Sequence, residues 1–111
     1  PARMRVAHLA LLCALAGLFG CSFDGVCQNT AFGVGGASTE LDFVECWDGQ
    51  DRGVRCEPVA EGSTRVTCTC NVGGNVGASF ERTEPLFMTV PPTEAELAPV
   101  NAGCGWALRP R

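Results

Sequence analysis

The chain has 111 residues and a formal net charge of −4 at pH 7, with twelve acidic residues, eight arginines and no lysine. Because nucleic acids are bound through basic patches, this composition excludes nucleic-acid binding. The length predicts one small domain, and the core of such a domain stabilises it only marginally.

A short apolar run, residues 9–18, follows Arg5 and ends at Leu18-Phe19-Gly20-Cys21. A positive residue, an apolar run and a small-residue cleavage site are the three parts of a secretory signal peptide. The run is shorter than the roughly 20 residues of a transmembrane helix. We therefore expect residues 1–20, a start extension and a signal peptide, to be removed; an uncleaved anchor or a buried core helix is the alternative.

Leu18, Gly20 and Cys21 occupy the −3, −1 and +1 positions of a lipobox, so residues 4–21 resemble the signal of bacterial lipoproteins. The resemblance implies that the Cys21 thiol receives a diacylglycerol and that its freed amine is acylated. Ser22 differs from the Asp that usually marks inner-membrane retention in this family, so the outer membrane is favoured. The expected location is the bacterial cell envelope, with the domain outside the cytoplasm and the membrane as a partner.

Of eight cysteines, Cys13 lies in the signal and Cys21 is assigned to the lipid. An even number of remaining cysteines in a small exported domain predicts three disulfides. Each contributes about 2–4 kcal/mol. The disulfide cysteines are Cys27, Cys46, Cys56, Cys68, Cys70 and Cys104.

Residues 21–39 are predicted to be a lipid-anchored tether, because Gly, Ser and Ala predominate and favour flexible coil. Residues 40–111 are predicted to be a disulfide-stapled β domain. We expect a mostly β (small α+β) fold, with a three- or four-stranded antiparallel sheet and one short C-terminal helix. The strand candidates are residues 40–47, 54–57, 64–71 and 76–82.

Alternation within the candidate strands predicts their inward faces. Leu41, Phe43 and Trp47 share one face of the first strand. For the last hairpin, a three-residue loop over residues 73–75 with a bulge would set Cys68 opposite Phe80, both inward.

Thr93 and Glu96 form a capping box that predicts a helix over residues 94–102. Pro99 is expected to kink or shorten this helix, and Gly103 to end it. Residues 104–108 are expected to dock on the sheet, and residues 109–111 to fray.

Six cysteines allow 15 pairings. If the second and third strands pair about Gly62, Cys56 lies opposite Cys68 on one face. Cys70 can then reach Cys104 and clamp the helix to the sheet. We predict the pairs Cys27–Cys46, Cys56–Cys68 and Cys70–Cys104.

Cys68-Thr69-Cys70, the Gly-rich hairpin after it and Cys104-Gly105-Trp106 also resemble small cysteine-rich lipoproteins of unknown function predicted in GC-rich Gram-negative bacteria. That resemblance implies no activity.

The chain beyond the signal has no histidine or lysine, so the common activated nucleophiles are absent and no enzyme is expected. The acid pairs Glu40/Asp42 and Glu94/Glu96 are interpreted as a solvated strand face and a helix N-terminus. The Cys-x-Cys spacing does not match zinc sites, and Arg52 stands where a calcium loop needs an oxygen ligand. No metal or cofactor is expected.

Two functional hypotheses remain. One is a structural or interaction module; the alternative is a polysaccharide- or protein-binding accessory that uses an aromatic patch. Solvent exposure of Trp47 and Trp106 distinguishes them: if both rings are buried, the second hypothesis loses its motivation. The patch candidates are Phe23, Phe32, Trp47 and Trp106.

Overall fold

Five antiparallel strands and one helix form the fold in a computed structural model, which describes residues 25–111. The strands form one sheet in the order β1-β2-β3-β4-β5. The predicted mostly β class with a C-terminal helix is confirmed, but the sheet has five strands and not three or four. The elements are β1 (Cys27–Gly35), β2 (Ser38–Cys46), β3 (Arg52–Pro58), β4 (Val66–Val72), β5 (Asn75–Arg82) and α1 (Glu94–Cys104).

The predicted signal peptide, Cys13, Cys21 and Phe23 lie outside the described residues.

The additional strand, β1, lies in the segment predicted to be a flexible tether. It pairs with β2 from Cys27↔Cys46 to Gly35↔Ser38. The prediction of coil over residues 22–39 is therefore wrong from Cys27 onward, and the folded part begins before residue 40. Composition misleads here because strand formation depends on the partner strand more than on intrinsic propensity.

Three disulfides join the cysteines in the predicted pairs. Cys27–Cys46 and Cys56–Cys68 connect residues that face each other across neighbouring strands, with Cα atoms 3.8 and 3.9 Å apart. Cys70–Cys104 joins β4 to the end of α1, with Cα atoms 5.7 Å apart. The predicted pairing is confirmed, and it ties both β1 and the helix to the central strands.

The last hairpin has a two-residue turn and not the predicted three-residue loop. Gly73 and Gly74 have φ of 58° and 83°, which suits a tight hairpin turn, and Val72 pairs with Asn75. A register shift between Thr69 and Asn71 then restores the predicted Cys68↔Phe80 pairing. The bulge was expected at the turn but lies within the strand.

Alternation along β2 is broken at Glu45, whose φ is 55°. Phe43 and Leu41 face the core, but so does Cys46, while the Trp47 side chain is 39% exposed. The predicted sharing of one face by Leu41, Phe43 and Trp47 is therefore wrong for Trp47. A left-handed residue reverses the orientation of the residues that follow it.

The hydrophobic core lies between one face of the sheet, α1 and the segment that leads into the helix. Its buried non-cysteine members are Leu41, Phe43, Val54, Val66, Leu86, Met88, Leu97, Val100 and Leu108, with Phe32, Phe80 and Trp106 packed against them.

Helix α1 begins as predicted and continues farther than predicted. The Thr93 hydroxyl accepts from the Glu96 backbone N–H, and the Glu96 carboxylate accepts from the Thr93 N–H. The helix passes through Pro99 and ends at Gly105, a left-handed C-cap with φ 70°. Gly103 thus does not end the helix, because it lies inside the last turn against the Phe80 ring.

The C-terminal residues are held against the start of β1, so the predicted fraying of residues 109–111 is wrong. The Arg109 N–H donates to the Gly25 carbonyl at 2.7 Å, and Arg111 Nη1 donates to the Gln28 carbonyl at 2.9 Å. Leu108 is buried and exchanges two hydrogen bonds with the Asn101 side chain of α1. Trp106 contacts Phe43 of β2, which confirms that residues 104–108 dock on the sheet.

Gly103→Ala tests the contact between α1 and β5. A Cβ at this position would overlap carbon atoms of the Phe80 ring. We expect a net loss of about 1–3 kcal/mol in unfolding free energy, since overpacking exceeds the gain in helix propensity. Gly33→Ala is the control, because its Cβ would meet nothing within 4 Å. Urea unfolding of both variants measures the difference; equal stabilities would contradict the close contact.

Candidate functional site

The two ends of the sheet carry different side chains. The first end, here called the tryptophan end, is where β1 begins and β2 finishes. There the Trp47 N–H donates to the Val26 carbonyl at 3.0 Å. The turns at residues 48–51 and 73–74 meet at this end through a 2.8 Å bond from the Gly73 N–H to the Asp51 carbonyl. At the second, here called the hairpin end, lie the β1–β2 turn at residues 36–37 and the loop between β3 and β4.

Arg52 is the central residue of the tryptophan end. Its guanidinium carbon lies 4.3 Å from the centroid of the Trp47 ring and 5.9 Å from that of Trp106. Both rings are within cation–π range. Trp106 in turn packs edge-on against Phe43 of the core, with centroids 6.4 Å apart. The fold thereby brings together two tryptophans that are far apart in the sequence.

Asp48 binds the same guanidinium with both carboxylate oxygens. Arg52 Nη1 donates to Oδ1 at 2.9 Å, and Nη2 donates to Oδ2 at 2.7 Å. The hydrogen bond from Arg52 is the main reason that the pKa of Asp48 falls from 3.8 to about 2. The Arg52 side chain is only 9% exposed, and within the described residues its buried Nε has no hydrogen-bond partner. The arginine therefore serves mainly to join the turn to the two rings.

The predicted aromatic patch is divided by the fold. Trp47 is exposed and Trp106 is half-buried, so the patch hypothesis keeps its main requirement. Phe32 lies elsewhere, packed edge-on against Phe87 with centroids 5.8 Å apart. Sequence reasoning missed both Arg52 and Phe87 as members of these clusters. The one sequence signal for Arg52 is its short spacing from Asp48, which is typical of an ion pair across a turn.

The hairpin end contains an open cleft of about 550 Å³ without a charged residue in its lining. Val34 and Phe87 are 65% and 68% exposed, so the cleft continues into apolar surface. Thr39 is buried, and its Oγ1 has no hydrogen-bond partner within the described residues. The cleft is lined by Phe32, Val34, Gly36, Ala37, Thr39, Ser63, Thr64, Pro85, Leu86 and Phe87.

The carboxylate pairs considered for acid–base chemistry lie apart from both clusters. Glu40 and Asp42 are exposed on β2, and Glu94 is exposed at the start of α1. Glu96 caps the helix and also accepts from the Thr89 hydroxyl at 2.6 Å, which lowers its pKa. In residues 25–111 no group of three or more His, Cys, Asp or Glu side chains is arranged to hold a metal ion.

No family model, curated protein or solved structure matches this chain. Among the described residues, no helix has the length and apolar character needed to span a membrane.

Asp48→Asn tests the contribution of the ion pair to stability. The pKa of Asp48 is depressed in the fold, so its contribution is present above about pH 4 and is lost as the pH falls through about 2. We expect a loss of about 1–2 kcal/mol at pH 7, because the buried guanidinium loses its charged partner. The difference from the unaltered protein should disappear near pH 2.

Urea unfolding between pH 7 and pH 2, followed by tryptophan fluorescence, measures this dependence. Asp42→Asn is the control, since Asp42 is exposed and forms no side-chain hydrogen bond or ion pair with the described residues. A stability difference that persists unchanged at pH 2 would argue against the ion pair as its source.

Proposed function

We propose that this protein is a lipid-anchored interaction module of the bacterial cell envelope, without catalytic activity. The observation that carries the proposal is the disulfide framework, in which all six cysteines of residues 25–111 are paired. Structural disulfides of this density form and persist mainly in oxidising compartments, which supports a location outside the cytoplasm. Export is also what the signal-like residues 4–21 imply.

The proposed anchor is Cys21, which precedes the folded part by four residues. A chain of that length spans at most about 14 Å. Val26 is fixed by its bonds to Trp47 and to the C-terminal residues, so the chain enters the domain at the tryptophan end. Acylation at Cys21 would hold this end close to the bilayer and leave the hairpin end pointing outward. Two or more acyl chains are enough for stable attachment, whereas one is marginal.

The absence of catalysis is part of the proposal. Neither histidine nor lysine occurs after residue 20, and the carboxylates at Glu40 and Asp42 are solvated on the outer face of the sheet. Ser22 after the anchor residue favours the outer membrane among the membranes of a Gram-negative cell.

Cys21→Ser tests the anchor. We expect the unprocessed precursor to accumulate and labelling with an alkyne analogue of palmitate to be lost, because the thiol is the acceptor of the first lipid. Cell fractionation, mass spectrometry and gel fluorescence provide the measurements. Cys13→Ser, a change of the same kind inside the predicted signal, should be processed and labelled normally. A Cys21→Ser protein that is still cleaved and membrane-bound would refute the anchor.

A second candidate function, binding through the aromatic patch, is favoured by the exposure of Trp47. Exposed tryptophan rings are common at recognition surfaces, where they supply a large apolar area together with a polar N–H. The ligand class would be an envelope polysaccharide or a protein.

Trp47→Ala tests the patch, with purified peptidoglycan sacculi as the probe. If the patch binds polysaccharide, co-sedimentation affinity should fall by about tenfold or more, which corresponds to about 1.4 kcal/mol. Phe87→Ala removes an exposed ring at the opposite end of the sheet and should leave this affinity unchanged. Equal co-sedimentation of the unaltered protein and Trp47→Ala would reject the patch as a polysaccharide site.

A further inference from the structure

Within residues 25–111, one edge of the sheet is uncovered. β1 pairs only with β2, and along its other side the backbone of residues 29–35 makes no hydrogen bond within the described part of the chain. The bonds from the C-terminal residues to this strand stop at Gln28. An edge strand of this kind presents a row of free N–H and C=O groups to any extended chain that approaches it.

The sequence of this edge lacks the features that usually prevent strand addition. Residues 29–35 contain no charged residue and no proline, and the uncharged stretch continues to Thr39. The opposite edge, β5, differs: it carries Glu81 and Arg82, its pairing is interrupted by a bulge, and α1 packs on it through Gly103 and Phe80. Charges, bulges and covering helices are the devices that protect sheet edges. In the part of the chain that the structure describes, β1 is the sheet edge that lacks these devices.

The uncharged cleft of the hairpin end lies directly beside this edge. Phe32 and Val34 of β1 form part of its wall, and Phe87, whose ring contacts that of Phe32, also lines it. The remaining lining residues are uncharged as well, so the cleft offers a site for an apolar side chain next to the strand edge.

We infer that the free edge of β1 is a strand-addition site for an extended, uncharged, apolar segment of a partner protein. The segment adds a sixth strand to the sheet along residues 29–35. One of its apolar side chains packs into the cleft beside the contacting rings of Phe32 and Phe87. Main-chain hydrogen bonds supply affinity in this mode, and the side-chain pocket supplies specificity.

A partner protein fits this edge better than a second copy of the chain, and this step rests on the proposed anchoring. Antiparallel pairing of two β1 strands would point the two tryptophan ends in opposite directions. A nine-residue strand spans about 30 Å, whereas four residues of tether span at most about 14 Å. Two copies standing upright on one membrane therefore cannot pair antiparallel through this edge. Parallel pairing of two identical edges is less stable per residue and offsets the copies along the strands, so it does not close into a two-fold dimer. An independent partner meets neither restriction.

Amide hydrogen exchange of the full-length protein in phosphatidylcholine nanodiscs tests the site. The probe is the peptide acetyl-Thr-Val-Thr-Val-Thr-Val-amide, and its control has the same sequence with N-methyl groups on alternate residues, which removes donors from one backbone edge. We expect the first peptide to slow exchange in residues 29–35 at least tenfold and the second to leave it unchanged. Exchange in β5 should be the same with either peptide.

Two matched variants locate the effect. Val34→Lys places a charge on the β1 edge, and Val76→Lys places the same charge on β5; these valines are 65% and 76% exposed, so neither change disturbs the core. Peptide protection should be lost in the first variant and kept in the second.

Several outcomes would overturn the inference: no protection by the unmethylated peptide, equal protection by both peptides, or protection that survives Val34→Lys. Protection without peptide that increases with protein concentration would assign the edge to a second copy. Protection without peptide at every concentration would assign it to the chain's own first 24 residues. Failure of the anchor appears separately, as a Cys21→Ser protein that stays in the membrane, and would not alter the peptide result.

Discussion

Covalent fixation of strand register is the constraint on which the rest of this small fold depends. Cys27–Cys46 and Cys56–Cys68 each join residues directly across neighbouring strands, so β1 to β2 and β3 to β4 cannot slip. Because a slip of one residue would turn every inward side chain outward, these links also fix which face forms the core. Cys70–Cys104 then holds α1 over that face. The positions of the two clusters, one at each end of the sheet, follow from this register.

Local rules predicted the features that depend on neighbouring residues. Cys56 and Cys68 lie the same number of residues before and after Gly62, so a turn centred there predicts that they pair. The spacing of Thr93 and Glu96 predicts the start of α1. β1 could not be predicted in this way. Its glycine-rich sequence favours coil by itself, and it becomes a strand because β2 supplies backbone partners and Cys46 supplies a covalent one.

The candidate site was less predictable, because its members meet through long-range contacts. Trp47 leaves the core face as a result of one left-handed residue, Glu45, which no pattern of hydrophobicity reveals. Arg52 was considered only as an obstacle to calcium binding, whereas its position between two tryptophans depends on where the C-terminal segment docks. Phe87 belongs to a cluster only because the fold brings its ring against that of Phe32, which is distant in the sequence.

Charge alone does not explain how an acidic domain tolerates an unprotected edge. If two β1 edges paired, the carboxylates of Glu40 and Asp42 on each β2 would be separated from those of the other copy by three strand spacings, or about 14 Å. That distance exceeds the Debye length of about 8 Å at physiological ionic strength, so their repulsion would be largely screened. Geometry is the stronger restraint under the proposed anchoring, because it orients every upright copy the same way and prevents antiparallel contact of the edges. The same orientation leaves the edge and its cleft accessible to a partner approaching from the side away from the membrane.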